Sequence, residues 1–310
     1  MRIGRVREIW RYPVKSMAGE HLDTGTIGPR GIPGDRAWAT RDETIGELRG
    51  AKYLPKLMLC AARYREPPEA ANGAVPHADI TLPDGARTAT DDPEVDARLS
   101  ELLGRAVSLW PLRPAADRAH YKRAHRAAGV MGRLSRFAPL KPHLARIIRH
   151  ARLEAPVREI FDRRPDEPLP DFATIPEDLF EFTSPPGTYF DLAPIHLLTT
   201  ASLAAMARVN PSAAWDVRRF RPNLLVETEP GIEGLVEADW SGRTLRIAGL
   251  TLECWIPAVR CGMTTHATDE LPKDPSVLRS IVRDAGQNLG VYGAAANTSR
   301  VAVGDEVELV

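Results

Sequence analysis

Four short clusters in the sequence carry residue types from which a binding or redox site is built. The first is Tyr12-Pro13-Val14-Lys15-Ser16. Its proline fixes the backbone after a strand-like stretch, and a cation and a hydroxyl are then presented together. The second is Gly31-Ile32-Pro33-Gly34-Asp35-Arg36, where a turn holds an arginine. Lys, Ser and Arg at turns suit a phosphate, which needs charge together with short donors. The third, Phe220-Arg221-Pro222-Asn223, sets a cation and an amide beside a proline. The fourth centres on Cys261, which follows Pro257-Ala258-Val259-Arg260 and precedes Gly262, Thr264 and Thr265. It sits where a strand has just broken, with a guanidinium adjacent. A neighbouring cation favours the thiolate, the form that attacks or binds metal. The other two cysteines read differently. Cys60 lies in the apolar run Leu57-Met58-Leu59-Cys60-Ala61-Ala62, and Cys254 alternates with Leu250, Leu252 and Ile256, so both read as small buried hydrophobes.

The elements that must position these clusters are mostly strands. Through the first hundred or so residues, short apolar stretches alternate with turn signals at Gly28-Pro29-Arg30-Gly31, Pro33-Gly34-Asp35 and Pro83-Asp84-Gly85. In the first strand the alternation is weak, because Val6, Trp10 and Tyr12 share a face with Glu8. Asp91-Asp92-Pro93 predicts the start of a short helix carrying Val95, Leu99, Leu102 and Leu103, which Gly104 ends. Leu203 and Met206 to Arg208 predict a helix ending near Asn210-Pro211. Leu245 to Ile256 reads as a hairpin turning at Ala248-Gly249, and Asp274-Pro275 opens a helix through Ile281 and Val282. Strand, turn and strand close the sequence at Val301 to Leu309.

Between these parts lies a segment of unusual charge. Arg113 to Arg152 holds eleven basic residues and one acid, Asp117, with His120, His125, His143 and His150 among them. The following stretch, Glu154 to Glu181, is acidic. The two blocks can pair with each other or with solvent, or the basic block can receive an acidic protein partner such as an electron carrier. Lys+Arg and Asp+Glu are 41 each, a net charge of +0. That balance argues against a dedicated nucleic-acid binder. No apolar run approaches the ~20 residues of a membrane-spanning helix. The N-terminus has no signal-peptide core, and three cysteines make no disulfide framework, so a cytoplasmic location is expected. P-loop, dinucleotide, G-x-S-x-G, H-E-x-x-H and zinc-finger patterns do not occur.

Taken together, Tyr12-Pro13-Val14-Lys15-Ser16 and Gly34-Asp35-Arg36 resemble the N-terminal domain that precedes MOSC (molybdenum cofactor sulfurase C-terminal) domains. Leu197 to Leu203, Phe220-Arg221-Pro222-Asn223, Arg260-Cys261 with Thr264-Thr265, Gly290-Val291-Tyr292 and Val303-Gly304-Asp305 resemble the MOSC domain itself. In pattern the sequence is similar to the mitochondrial amidoxime-reducing component and its bacterial counterparts. The resemblance implies a mainly β (α+β) fold: an N-terminal β-barrel-like domain over 1–112, a basic helical insertion over 113–165, and a C-terminal MOSC β-barrel with a few short helices over 166–310. It also implies a molybdenum–molybdopterin cofactor between the two domains. Cys261 would supply a thiolate to the metal, and Lys15, Ser16 and Arg36 would hold the phosphate and pterin edge. Thr199, Arg221, Asn223 and Arg260 would line the pterin from the other domain, with Tyr292 close by.

The activity implied is reduction of N-hydroxylated or N-oxide small molecules, with electrons from a separate flavin, haem or iron–sulfur carrier protein. The alternative is a non-redox cofactor-binding or sulfur-carrier protein with a persulfide on Cys261. Relatives usually place Asp-Pro after the Thr pair, whereas this chain has His266-Ala267-Thr268-Asp269. His266 is thus either an altered pocket residue near the metal or an ordinary loop residue.

Overall fold

A computed structural model describes residues 1–68, 75–124, 154–171 and 181–310. Sixteen strands carry the described chain: β1 (Arg2–Arg11), β2 (Glu20–Leu22), β3 (Thr24–Ile27), β4 (Trp38–Asp42), β5 (Glu47–Leu48), β6 (Ala61–Tyr64), β7 (Ala78–Thr81), β8 (Arg87–Ala89), β9 (Val107–Pro111), β10 (Ile195–Thr199), β11 (Leu224–Thr228), β12 (Thr244–Ile247), β13 (Leu250–Val259), β14 (Asn288–Ala295), β15 (Ser299–Ala302) and β16 (Glu306–Leu309). The largest sheet runs β11-β10-β14-β13-β12-β16-β1-β2, and β1 also pairs with β11. Seven strands therefore close into a barrel, with β2 hanging on its β1 edge. Closure removes free strand edges and encloses one core.

Alternation aims that core inward. Leu250, Leu252 and Cys254 of β13 are buried with Leu245 and Ile247 of β12, and Ile3, Val6 and Ile9 of β1 join them. The weak alternation of β1 has a structural cause. Its pairing with β11 slips between Val6 and Glu8, a bulge that re-aims the side chains beyond it. Trp10 Nε1 donates to Glu8 at 2.8 Å, so the misplaced carboxylate is satisfied.

The expected boundary at residue 112 does not divide the sheets. β1 belongs to the C-terminal barrel, and β3 pairs with β15. What remains of the N-terminal half is β-rich: two three-stranded antiparallel sheets, β5-β4-β9 and β6-β7-β8. Val14, Met17, Trp38, Leu57, Cys60 and Ile80 form a second core there.

Helices fall close to the predicted places. Val95–Leu103 ends at Gly104, whose φ of 65° suits glycine. Thr200–Val209 is capped by the Thr199 hydroxyl, and Pro275–Asp284 by Asp274, which accepts from Ser276 N at 2.9 Å. In the charged segment, helices Arg118–Tyr121 and Glu154–Phe161 are described. Residues 125–153, which hold most of the basic run, lie outside the described residues.

Candidate functional site

The chain leaves β1 at Arg11 and turns through Tyr12 to Ser16 against the segment before β10 and the loop before β11. Seven non-glycine residues among those described have positive φ, and three of them are Ser16 (73°), Arg36 (50°) and Arg221 (54°). Side chains other than Gly, Asn and Asp seldom occupy that region, and such conformations cluster at functional sites. Here they converge on one place. A cavity of about 40 Å³ is lined by Lys15, Ser16, Arg36, Arg221, Asn223, Arg260 and Tyr292, with Asp191 and His196. Of the sequence-predicted residues, Thr199 and Cys261 are missing from this wall.

Asp35 and Asn223 make the frame. Asp35 accepts from Tyr12 N at 2.8 Å and from Asn223 Nδ2 at 2.9 Å, and pairs with the Arg36 guanidinium. Asn223 Oδ1 accepts from His196 N at 3.1 Å. The Tyr12 ring lies under two guanidinium groups, Arg36 at 4.8 Å and Arg221 at 4.1 Å. Tyr12 Oη donates to Pro222 O at 3.0 Å, and burial pushes its phenol up. Lys15 Nζ donates to Asp191 at 2.7 Å, Tyr189 O at 2.8 Å and Ser184 Oγ at 3.2 Å. Its surroundings disfavour the Asp191 charge, but Lys15, Arg36 and Arg221 outweigh them and hold the carboxyl at about 2. Four lining cations thus face one lining carboxylate. Two donors, Arg221 Nη2 and Arg260 Nε, are buried with no acceptor. Burial first, and then Arg36, pull the Arg221 guanidinium down to about 10. An anion entering here would relieve that imbalance.

A second cavity of about 260 Å³ adjoins the first and shares Lys15, Ser16, Asp191, Arg260, Met263 and Tyr292 with it. Cys261 lies on its wall, half-buried, as the residue that opens the turn Gly262–Thr265 after β13. The remaining wall is largely apolar: Ile160, Phe161, Leu192, Ile256, Pro257 and Val259.

Arg260 donates to Phe220 O at 2.9 Å and faces His196 Nε2 at 3.4 Å. Burial and Arg260 push His196 well below its ordinary value, so it stands neutral beside that guanidinium. Two further cations, Lys52 and Arg163, lie within electrostatic range of Cys261. Burial brings the Lys52 ammonium down to about 8, which Cys261 partly opposes. No local motif marked Lys52, Asp191 or His196. They are brought in by the fold from loops and a strand that read as ordinary.

Several expectations fall elsewhere. Thr199 is absent from both cavity walls: its hydroxyl donates to Glu237 at 2.7 Å and accepts from Ser202 N, capping a helix. His266 also lies outside both walls. Its backbone closes the turn after Cys261, and its carbonyl accepts from Arg219 at 3.2 Å. Cys60 and Cys254 are buried, and burial pushes both thiols up to about 12. Of the basic run, Arg118 and Lys122 lie 3.8 and 3.7 Å from Glu181, so acidic and basic blocks do pair there. Arg123 faces Glu47 at 3.8 Å and lines the larger cavity.

Comparison with known families matches residues 187–308 to the MOSC domain and residues 3–105 to the MOSC N-terminal beta barrel domain, most of the chain between them. The chain belongs to the MOSC family. Among solved structures, the MOSC chain is similar to the YuaD protein from Bacillus subtilis, at 12% identity over 99% of this chain and 95% of that one, with a TM-score of 0.43. It is also similar to YiiM from Geobacillus stearothermophilus, at 14% identity over 38% and 54% of the two chains, with a TM-score of 0.28. No curated protein matches the MOSC chain. Among the described residues no helix is long and apolar enough to cross a membrane, and no group of three His, Cys, Asp or Glu side chains could hold a bare metal ion.

Proposed function

We propose that the protein binds a molybdenum–molybdopterin cofactor and reduces N-hydroxylated or N-oxide compounds with electrons from a separate carrier protein. The observation that carries this reading is the joining of two unlike cavities: a small cationic one and a larger apolar one with a thiol on its wall. A pterin phosphate suits the first, whose orphaned arginine donors and excess of cations call for an anion. A soft thiolate at the second suits a metal that arrives already held by other sulfurs, since one cysteine alone cannot hold it.

In this reading Lys15, Arg36 and Arg221 hold the phosphate. Ser16 adds a donor, because its Oγ accepts from Ala51 N at 2.8 Å and keeps its own proton to give. Asn223 and Asp35 fix the arginines rather than touch the ligand. Arg260 and Tyr292 border both cavities and would orient the pterin between them. Cys261 would bind the metal. When bound, the cofactor supplies a two-electron redox centre. The net conversion takes two electrons and two protons, breaks the N–O bond and releases water.

Metal analysis and Cys261→Ser test the reading together. Protein from a cofactor-competent host should contain molybdenum and oxidise a reduced dye when given an N-hydroxy compound. Cys261→Ser keeps size and fold but replaces a soft ligand by a hard one. It should keep much of its pterin through the phosphate contacts and lose activity by orders of magnitude. Labile sulfur on Cys261 without molybdenum would replace this reading with the sulfur-carrier one.

A further inference from the structure

The larger cavity holds one cation with no hydrogen-bond or ion-pair partner among the described residues. Four cationic side chains border it: Lys15, Lys52, Arg123 and Arg260. Lys15 is paired with Asp191 at 2.7 Å, and Arg123 faces Glu47 at 3.8 Å. Arg260 donates to the Phe220 carbonyl. Lys52 makes no hydrogen bond and no ion pair with any described residue. Its Nζ instead lies 5.6 Å from the Tyr53 ring centre and 5.3 Å from that of Phe161. Aromatic faces answer part of a cation's field but accept no strong hydrogen bond from it. An ammonium with three donors and no hydrogen-bond acceptor among the described residues therefore has its best partner in a ligand.

We propose that this cavity selects substrates that pair an aromatic body with a single carboxylate, the carboxylate bound by Lys52 and the ring packed on Phe161 and its neighbours. The inference rests on the cavity being the substrate site of the reading above. It names the class within the N-hydroxy compounds: those carrying an aromatic acid. The rings of Tyr53, Phe161 and Tyr292 line the cavity with the side chains of Ile160 and Leu192. An aromatic ligand there gains both buried area and favourable ring geometry. The charge contact sits across the cavity from no competing unpaired carboxylate, since Glu47 and Asp191 already have cationic partners.

Equilibrium binding to the purified protein tests this without turnover. The probes are benzoate, its uncharged counterpart benzamide, and acetate, which has the charge but no ring. Wild type should bind benzoate at least tenfold more tightly than benzamide, about 1.4 kcal/mol, and should bind acetate weakly. Lys52→Met should remove the preference while keeping the benzamide affinity, and Lys52→Arg should restore most of it. Equal affinity of wild type for benzoate and benzamide would overturn the proposal, and so would a preference that survives Lys52→Met. If Lys52→Met does not fold, the wild-type comparison and Lys52→Arg still decide. Failure here leaves reduction of uncharged N-hydroxy compounds untouched. Conversely, a benzoate preference in a protein without reductase activity keeps the site and discards the reaction.

Discussion

Replacing Arg221 by Met separates the cost of building the cationic cavity from the benefit of filling it. Burial draws the guanidinium from its ordinary 12.5 to about 10. At 1.36 kcal/mol per pH unit, keeping it charged at neutral pH costs on the order of 3 kcal/mol. The sign follows from the depressed value of a base. The cost is fully present below pH 10, and stability recovers only between about pH 10 and 12.5, where the unfolded chain holds the proton the folded one has lost. Against it stand the charged hydrogen bond from Arg221 to Met17 O, roughly 1.5–3 kcal/mol, and the stacking on Tyr12, roughly 0.5–2 kcal/mol. Cost and gain nearly cancel, so cofactor-free Arg221→Met should unfold within about 2 kcal/mol of wild type. The anion response should differ. Inorganic phosphate at about a hundred times its dissociation constant stabilises a single-site protein by about 2.7 kcal/mol. Thermal melts in phosphate, against chloride at matched ionic strength, should show that gain in wild type and little of it in Arg221→Met. An equal phosphate shift in both proteins, or none in wild type, would refute the assignment of this cavity to an anion.

Other expectations are simpler to state. Native thiol titration should label Cys261 first, with Cys60 and Cys254 reacting only on unfolding, because burial holds both near 12. Gly290 has φ +92°, and a Cβ there would lie 2.8 Å from Leu197 O and strike the His196 ring. Gly290→Ala should therefore cost at least ~2 kcal/mol in denaturant unfolding and displace His196 from Arg260. Burial raises the Glu237 carboxyl above its ordinary 4.5. A carboxyl raised on folding stabilises fully below its unfolded value and loses that contribution as pH rises through its folded one. Denaturation of wild type should show stability falling over that window, and Glu237→Gln should flatten the slope.

How much of this was legible depended on whether a feature was local. Lys15, Ser16, Arg36, Arg221, Asn223, Arg260, Cys261 and Tyr292 each sit in a short motif, and the fold brings them to two adjoining cavities. The helix ends were readable because Gly104 and Asp274 have backbone and side-chain roles that act over a few residues. Thr199 lies off both walls because a threonine before a helix is also the residue that caps it. Lys52 and Asp191 were invisible: a lone lysine in a loop looks solvated until Phe161, over a hundred positions away, is packed beside it. The bulge in β1 hid the strand's alternation for a related reason, since the extra residue is defined only by the partner strand.

The topology also explains why the cationic cavity needs both ends of the chain. β1 is held between β11 and β16, so the turn that follows it, with Tyr12, Lys15 and Ser16, starts from the barrel itself. β11 begins one residue after Asn223, and β1 ends one residue before Tyr12. Their antiparallel pairing, Ile9 opposite Leu224, therefore sets the Arg221-Pro222-Asn223 loop beside the Tyr12 turn by hydrogen-bond register rather than by surface docking. Asp35 then bridges the two, accepting from Tyr12 N and Asn223 Nδ2 while pairing with Arg36. A register places backbones to within a fraction of a residue spacing, which loosely docked domains do not do. That precision is what lets two guanidinium groups lie over one tyrosine ring, and the buried Arg221 and Arg260 donors without an acceptor leave an incoming anion as the group that completes the arrangement.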